Sequence, residues 1–162
     1  ISACLVGSEM CIRDSLMLET GLMYFSGDDS NVLPHISIGA TGLIGVTANI
    51  APHAYRELVD ATNKNDFHAA LKVHNSLEPL QRAIMSHVPG TVAAKYVLHG
   101  LGLIDSPRVR LPLVGPEDHE AAAIEGGIDQ VLSVPGLSFS NFRPNRNAAA
   151  GGALPKVAGT TR

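Results

Sequence analysis

Tryptophan is absent from this chain and only 4% of its residues are aromatic, so a stacking surface for nucleobases has little to be built from. Positive charge is scarce too. Twelve Lys and Arg against fifteen Asp and Glu leave a formal net charge of −3, with no basic stripe able to follow a nucleic-acid backbone. No apolar run approaches the ~20 residues that span a bilayer, so a membrane partner is not expected either. The two cysteines, Cys4 and Cys11, both fall near the start. The histidines, His35, His53, His68, His74, His87, His99 and His119, are scattered, with no H-x-x-x-H pair and no Cys/His cluster; a metal site is not expected.

What is present is the composition of a globular protein, 45% hydrophobic and 17% charged over 162 residues, which is one domain's length and can bury an adequate core. The low aromatic content fits a helix-rich shell of Ala, Leu and Val. Residues 1–15 stand apart, because they have no period of 2 or 3.6 and lack the basic start and long apolar centre of a secretory signal. Residues 6–15 look like translated adapter sequence, and 1–15 is read as a non-native leader. The two thiols then say nothing about compartment.

The chain is organised around residues 24–49. Leu22-Met23-Tyr24-Phe25 is a continuous apolar run of strand length, as expected of a parallel strand buried on both faces. It ends in Ser26-Gly27-Asp28-Asp29 and leads into a helical pattern at Val32, Leu33 and Ile36. The acidic pair sits where a helix N-cap and first turn would be, a position that favours carboxylates; the same pair could instead hold the loop rigid. Gly39 and Gly42 read as a helix stop and a tight entry into a second strand, Leu43-Ile44-Gly45-Val46, followed by Thr47-Ala48-Asn49. Two strands feeding two helices is the grammar of a parallel α/β protein. In barrels of that kind the chemistry sits on the loops past the strand C-termini, which points to 26–29 and 45–49.

Downstream the pattern is helical. Pro52 opens a helix with Tyr55, Leu58, Val59 and Thr62 on its buried face. The pattern breaks at 63–65 and Asp66 caps the next helix, whose apolar stripe takes Phe67, Ala70, Leu71, His74, Leu77, Leu80 and Ile84. Pro79 inside that stripe predicts a kink, or a split near Leu77. A further helix spans 91–102 with Gly102 as its stop, and a last one begins at Pro116, Glu117 and Asp118 and runs to 132, weakened by Gly126 and Gly127. Residues 133–162, rich in Gly, Pro, Ala, Asn and Ser, are expected to be disordered or non-native.

The Ser26-Gly27-Asp28-Asp29 block, the Gly42-Leu43-Ile44-Gly45-Val46-Thr47-Ala48-Asn49 block and Arg110-Leu111-Pro112-Leu113 resemble, in order and spacing, the C-terminal part of the dihydrodipicolinate synthase (4-hydroxy-tetrahydrodipicolinate synthase) family of pyruvate-dependent class I aldolases. The resemblance covers roughly residues 18–132. It implies an α/β fold in which 16–64 is a partial TIM barrel, the last two βα units of a (β/α)8 barrel, and 65–132 a helical C-terminal extension. Such a barrel needs roughly 250 residues, so a fragment is expected. It further implies that Gly27 faces the substrate pocket, that Ser26 with Gly27 lets the backbone approach a keto acid, and that Ile44 packs in the barrel interior and contributes to the pyruvate-binding surface. The family usually carries serine where this chain has Gly45, which puts the rigidity there in question.

The resemblance also implies cytoplasmic lysine and diaminopimelate biosynthesis, in which a homotetrameric parent enzyme condenses pyruvate with aspartate semialdehyde through a lysine Schiff base, without a cofactor. The family places that lysine and the catalytic tyrosine on earlier strands. Here Lys95 lies in an external helix, Lys64, Lys72 and Lys156 on helix surfaces, a loop and the tail, and Tyr24, Tyr55 and Tyr96 read as packing residues. This polypeptide alone is therefore expected to be inactive. Two alternatives stand beside this one: a sialic acid or keto-deoxy sugar acid aldolase of the same superfamily, and a non-catalytic helical protein that binds a partner through 66–103.

Overall fold

The computed structural model describes residues 21–131, 134 and 136–144. The leader assigned to 1–15 lies outside the described residues, as does most of the tail. Strand β1 (Phe25–Ser26) is followed by helix α1 (Val32–Ser37), strand β2 (Gly42–Leu43) and a 3-10 turn at Thr47–Asn49. Helices α2 (Pro52–Asn63), α3 (Phe67–Met85), α4 (Gly90–Gly100) and α5 (Asp118–Ile128) complete the order.

β1 and β2 are parallel, with Phe25 opposite Gly42 and Ser26 opposite Leu43. Bonds from the Thr41 N–H to the Tyr24 carbonyl at 2.6 Å and from the Ile44 N–H to the Ser26 carbonyl at 2.9 Å extend the pairing at both ends. The βα grammar holds, but the strands are shorter than the apolar runs and are not buried on both faces. Leu22, Met23 and Ile44 are 68%, 76% and 73% exposed. A parallel strand is covered on both faces only where neighbouring strands and helices flank it, and among the described residues the sheet has two strands.

Helix ends follow local chemistry closely. α1 stops at Gly39 (φ 105°) and α4 at Gly102 (φ 73°), and Asn65 (φ 60°) does the same for α2. In each case the N–H of the next residue reaches back five positions, Ala40 to His35, Leu103 to Leu98 and Asp66 to Ala61, the hydrogen-bonding of a left-handed C-terminal turn. Asp66 then caps α3 by accepting the Ala69 N–H at 3.0 Å. At α5 the Glu120 carboxylate accepts the Glu117 N–H at 2.8 Å, one half of a capping box. The helix ends at Ile128, short of 132.

α3 is the hub against which α2, α4 and α5 pack. It runs unbroken through Pro79, so the predicted split does not occur. The proline removes only the donor to the carbonyl of Asn75, which lies on the exposed side where water can take its place, while Leu77, Leu80 and Ile84 are fully buried on the other side. The buried arc is rotated from the predicted stripe. Val73, Gln81 and Ala83 are inside, whereas Phe67 and Leu71 are each 47% exposed, because neighbours on several sides of α3 require a wider face than one stripe.

Beyond α5, part of the stretch whose composition predicts disorder is packed. Phe142 meets Tyr96 edge-on at 6.4 Å and Phe139 at 6.5 Å, an arrangement that suits aromatic quadrupoles. Among the described residues no helix is long and apolar enough to cross a membrane.

Candidate functional site

Because β1 and β2 are parallel, the loops that follow them leave from one end of the sheet and touch. The first loop is built on Asp28. Its Oδ1 accepts the Ser30 N–H at 2.9 Å and the Ser30 hydroxyl at 2.6 Å, and its Oδ2 accepts the Asn31 amide at 2.7 Å, an Asx turn that sets the entry to α1. The Ser30 hydroxyl bond, chief among the causes, holds the Asp28 carboxyl below its ordinary pKa, and partial burial opposes it. Helix α1 starts only at Val32 and has no acidic residue in its first turn. The placement of the Asp pair in an N-cap and first turn is therefore corrected: Asp28 shapes the loop, and Asp29 points elsewhere.

Asp29, 3% exposed, reaches across to the second loop. Its Oδ2 accepts the Val46 N–H at 2.8 Å and the Thr47 N–H at 3.2 Å. Its backbone carbonyl accepts Gln81 Nε2 from α3 at 2.9 Å. The same Nε2 donates to the Tyr55 hydroxyl at 2.9 Å, and that hydroxyl lies 2.6 Å from Thr47 Oγ1. The ring Asp29, Thr47, Tyr55, Gln81 closes on itself with every member 6% exposed or less. Burial, chief among its surroundings, pushes the Tyr55 phenol well above its ordinary pKa of 10.0, against the hydrogen bonds from Thr47 and Gln81. Asp29 Oδ1 is buried with no hydrogen-bond partner and rests on Gly45, where a Cβ would come within 2.2 Å of it.

The three residues assigned to a substrate surface are placed differently from one another. Gly27 is exposed on the first loop. Ile44 is 73% exposed at the start of the second, outside any interior formed by the described residues. Ser26 is 2% exposed; its Oγ lies 2.6 Å from His35 Nδ1 and 2.8 Å from the Asp28 carbonyl, so the hydroxyl serves the loop's own structure. Asn49 closes the second loop by donating to the carbonyls of Gly45 at 3.2 Å and Val46 at 3.0 Å.

Lys95 donates to the Arg108 carbonyl at 2.7 Å on the outer side of α4, and Lys64 and Lys72 are exposed. Among the described residues no group of three His, Cys, Asp or Glu could hold a metal ion. Sequence reasoning missed Asp29, Thr47, Tyr55 and Gln81 as a unit. Gln81 could have been noticed, since a polar side chain four residues after Leu77 and three before Ile84 stands on an apolar face and needs a buried partner.

The sequence profile of the "Dihydrodipicolinate synthetase family" matches residues 8–131. The chain belongs to that family. The match begins inside the stretch set aside as a leader. Among curated relatives, the 4-hydroxy-tetrahydrodipicolinate synthase of Bifidobacterium longum (strain DJO10A) is 38% identical over 109 residues, 67% of this chain and 36% of its own. That of Ruegeria pomeroyi is 44% identical over 103 residues, 64% of this chain and 35% of its own. The solved 4-hydroxy-tetrahydrodipicolinate synthase of Methylacidiphilum fumariolicum SolV superposes with a TM-score of 0.67 at 28% identity, over 76% of this chain and 42% of that one. The α/β fold is thus a family fold, and the chain spans about a third of the length of the curated relatives it matches.

Proposed function

We propose that this chain supplies the closing part of a pyruvate-handling (β/α)8 barrel, the last two βα units and the helical extension of a 4-hydroxy-tetrahydrodipicolinate synthase. In a full-length protein that enzyme would condense pyruvate with aspartate semialdehyde through a lysine Schiff base, as a cytoplasmic homotetramer in lysine and diaminopimelate biosynthesis. The observation that carries the reading is the pair of parallel βα units whose post-strand loops meet at one end, in a chain of this family. Gly27 and Ile44 would then present backbone and apolar surface to the keto acid. Ser26 would act by shaping the loop, since its hydroxyl is already engaged.

Imine formation needs an unprotonated lysine held in a pocket. Lys64 and Lys72 are solvent-exposed, Lys95 is tied to the Arg108 carbonyl, and Lys156 lies outside the described residues. Tyr55 and Tyr96 are 4% and 2% exposed, with hydroxyls committed to Thr47 and Gln81, and to Glu125. We infer that the reactive amine and the relay tyrosine come from elsewhere in the full-length enzyme, and that this polypeptide alone does not turn over. Borohydride reduction in the presence of pyruvate tests this. The expected result is no pyruvyl adduct on this chain by intact mass, and one adduct on a full-length relative; a stoichiometric adduct on this chain overturns it.

A further inference from the structure

A carboxyl oxygen buried without a partner, beside a glycine that leaves it just enough room, is not explained by family membership or by stability alone. We propose that Asp29 is a positioning residue: its carboxyl group, seated on Gly45, clasps the loop that begins at Ile44 and sets the backbone there for the keto acid. The inference rests on the functional reading above. Three observations support it. Asp29 Oδ2 takes both amide protons at the turn of that loop, Val46 and Thr47, so the clasp acts on the two residues that follow Gly45. The Asp29 carbonyl is anchored by Gln81, and the same Gln81 holds Tyr55 against Thr47, so both loops are referred to the rigid body of α3. Finally, Oδ1 lies 2.2 Å from where a Cβ on residue 45 would stand, well inside contact distance, so in this chain the glycine leaves the carboxyl its room.

Gly45 thus does not loosen the loop; it admits the carboxyl that fixes it. The role is coupling rather than chemistry, because Oδ1 is covered. Asp29→Ala removes both acceptor oxygens, and Gly45→Ala crowds the carboxyl without altering it. The two should act alike, and together no worse than either alone.

Amide hydrogen exchange on the full chain is the direct test. Both variants are expected to raise exchange at Val46 and Thr47 by about tenfold, the size of one lost hydrogen bond to a charged group, while amides of α4 and α5 keep their protection. Unchanged exchange at the two amides, or an equal rise throughout the molecule, overturns the clasp. A pyruvate titration followed by amide shifts at Gly27 and Ile44 adds a readout that a merely structural role would not move. Shifts in the parent chain that weaken in both variants support positioning, and shifts of equal size in all three overturn it. Absence of shifts in the unsubstituted chain overturns the positioning role, and the exchange data still decide the clasp.

Discussion

The sheet end of the molecule and its helical body bury different kinds of side chain. From 22 to 49 the buried set is Ser26, Asp29, His35 and Thr47 with Val32 and Ala40; from 67 to 128 it includes Leu77, Leu80, Ala83, Ile84, Val92, Val97, Ile124 and Ile128, with Gln81 as the polar exception. The first region is held by directional bonds between loops, each costly to leave half-made. The second is held by volume, through apolar contacts that any tight substitute partly restores. Gln81 joins the two regimes. It stands on the apolar helix but directs its amide to Asp29 and Tyr55, so the loops inherit their position from the helical core.

The comparison is sharpened most by cavities. Leu80→Ala or Ile84→Ala, at fully buried positions, should cost about 2–5 kcal/mol in urea unfolding, whereas Ile44→Ala, at a 73% exposed position, should stay within roughly 0.5 kcal/mol. Equal costs would mean that the sheet end is packed like the body. Next in size is Tyr55→Phe, which leaves Gln81 and Thr47 short of a partner and should cost roughly 1–3 kcal/mol.

Tyr55 also predicts an alkaline effect. Burial raises its folded pKa above the ordinary 10.0, so its contribution is intact below pH 10 and is lost as pH rises beyond that value. Unfolding followed by pH should show a decline above pH 10 that Tyr55→Phe reduces. On the acid side His74 works in the opposite sense. Burial lowers its folded pKa from 6.5, and its Nδ1 has no partner. Its contribution is present above pH 6.5 and is lost as pH falls through the lowered value; His74→Leu should flatten that part of the profile. The smallest stability change, but a visible solution one, is expected of Met23→Lys with Ile44→Lys. Both positions are largely exposed, and a contiguous apolar face favours association, so concentration-dependent light scattering should fall while the melting temperature barely moves.

Much of the helical body was legible in the residue order because its signals are local. Asp66 caps the helix it precedes, Gly39 and Gly102 end the helices they follow, and Tyr55, Leu58 and Thr62 share one buried face, all within a turn or two of chain. Three blocks in register were enough to reach the family, and the family profile agrees. The candidate site was legible only in outline. Loops 26–29 and 45–49 were marked as the place, but the Asp pair kept two readings, a helix start or a brace of the loop, because sequence spacing alone cannot separate a carboxyl that caps its own helix from one that crosses to residues seventeen and eighteen positions away. The rigidity at Gly45 stayed in question for the same reason, since the atom that fills its space belongs to another loop.

The residue order by itself determined the class of elements, where helices α1, α2 and α4 stop, and the family to which they belong, since periodicity and turn chemistry act between near neighbours. Which side chains are spent on holding the loops, and which stay open to a ligand, was decided only in three dimensions. The bonds that settle it run from Asp29 to Val46 and from Gln81 to Asp29 and Tyr55. They exist only once β1 and β2 pair and α3 packs beneath them.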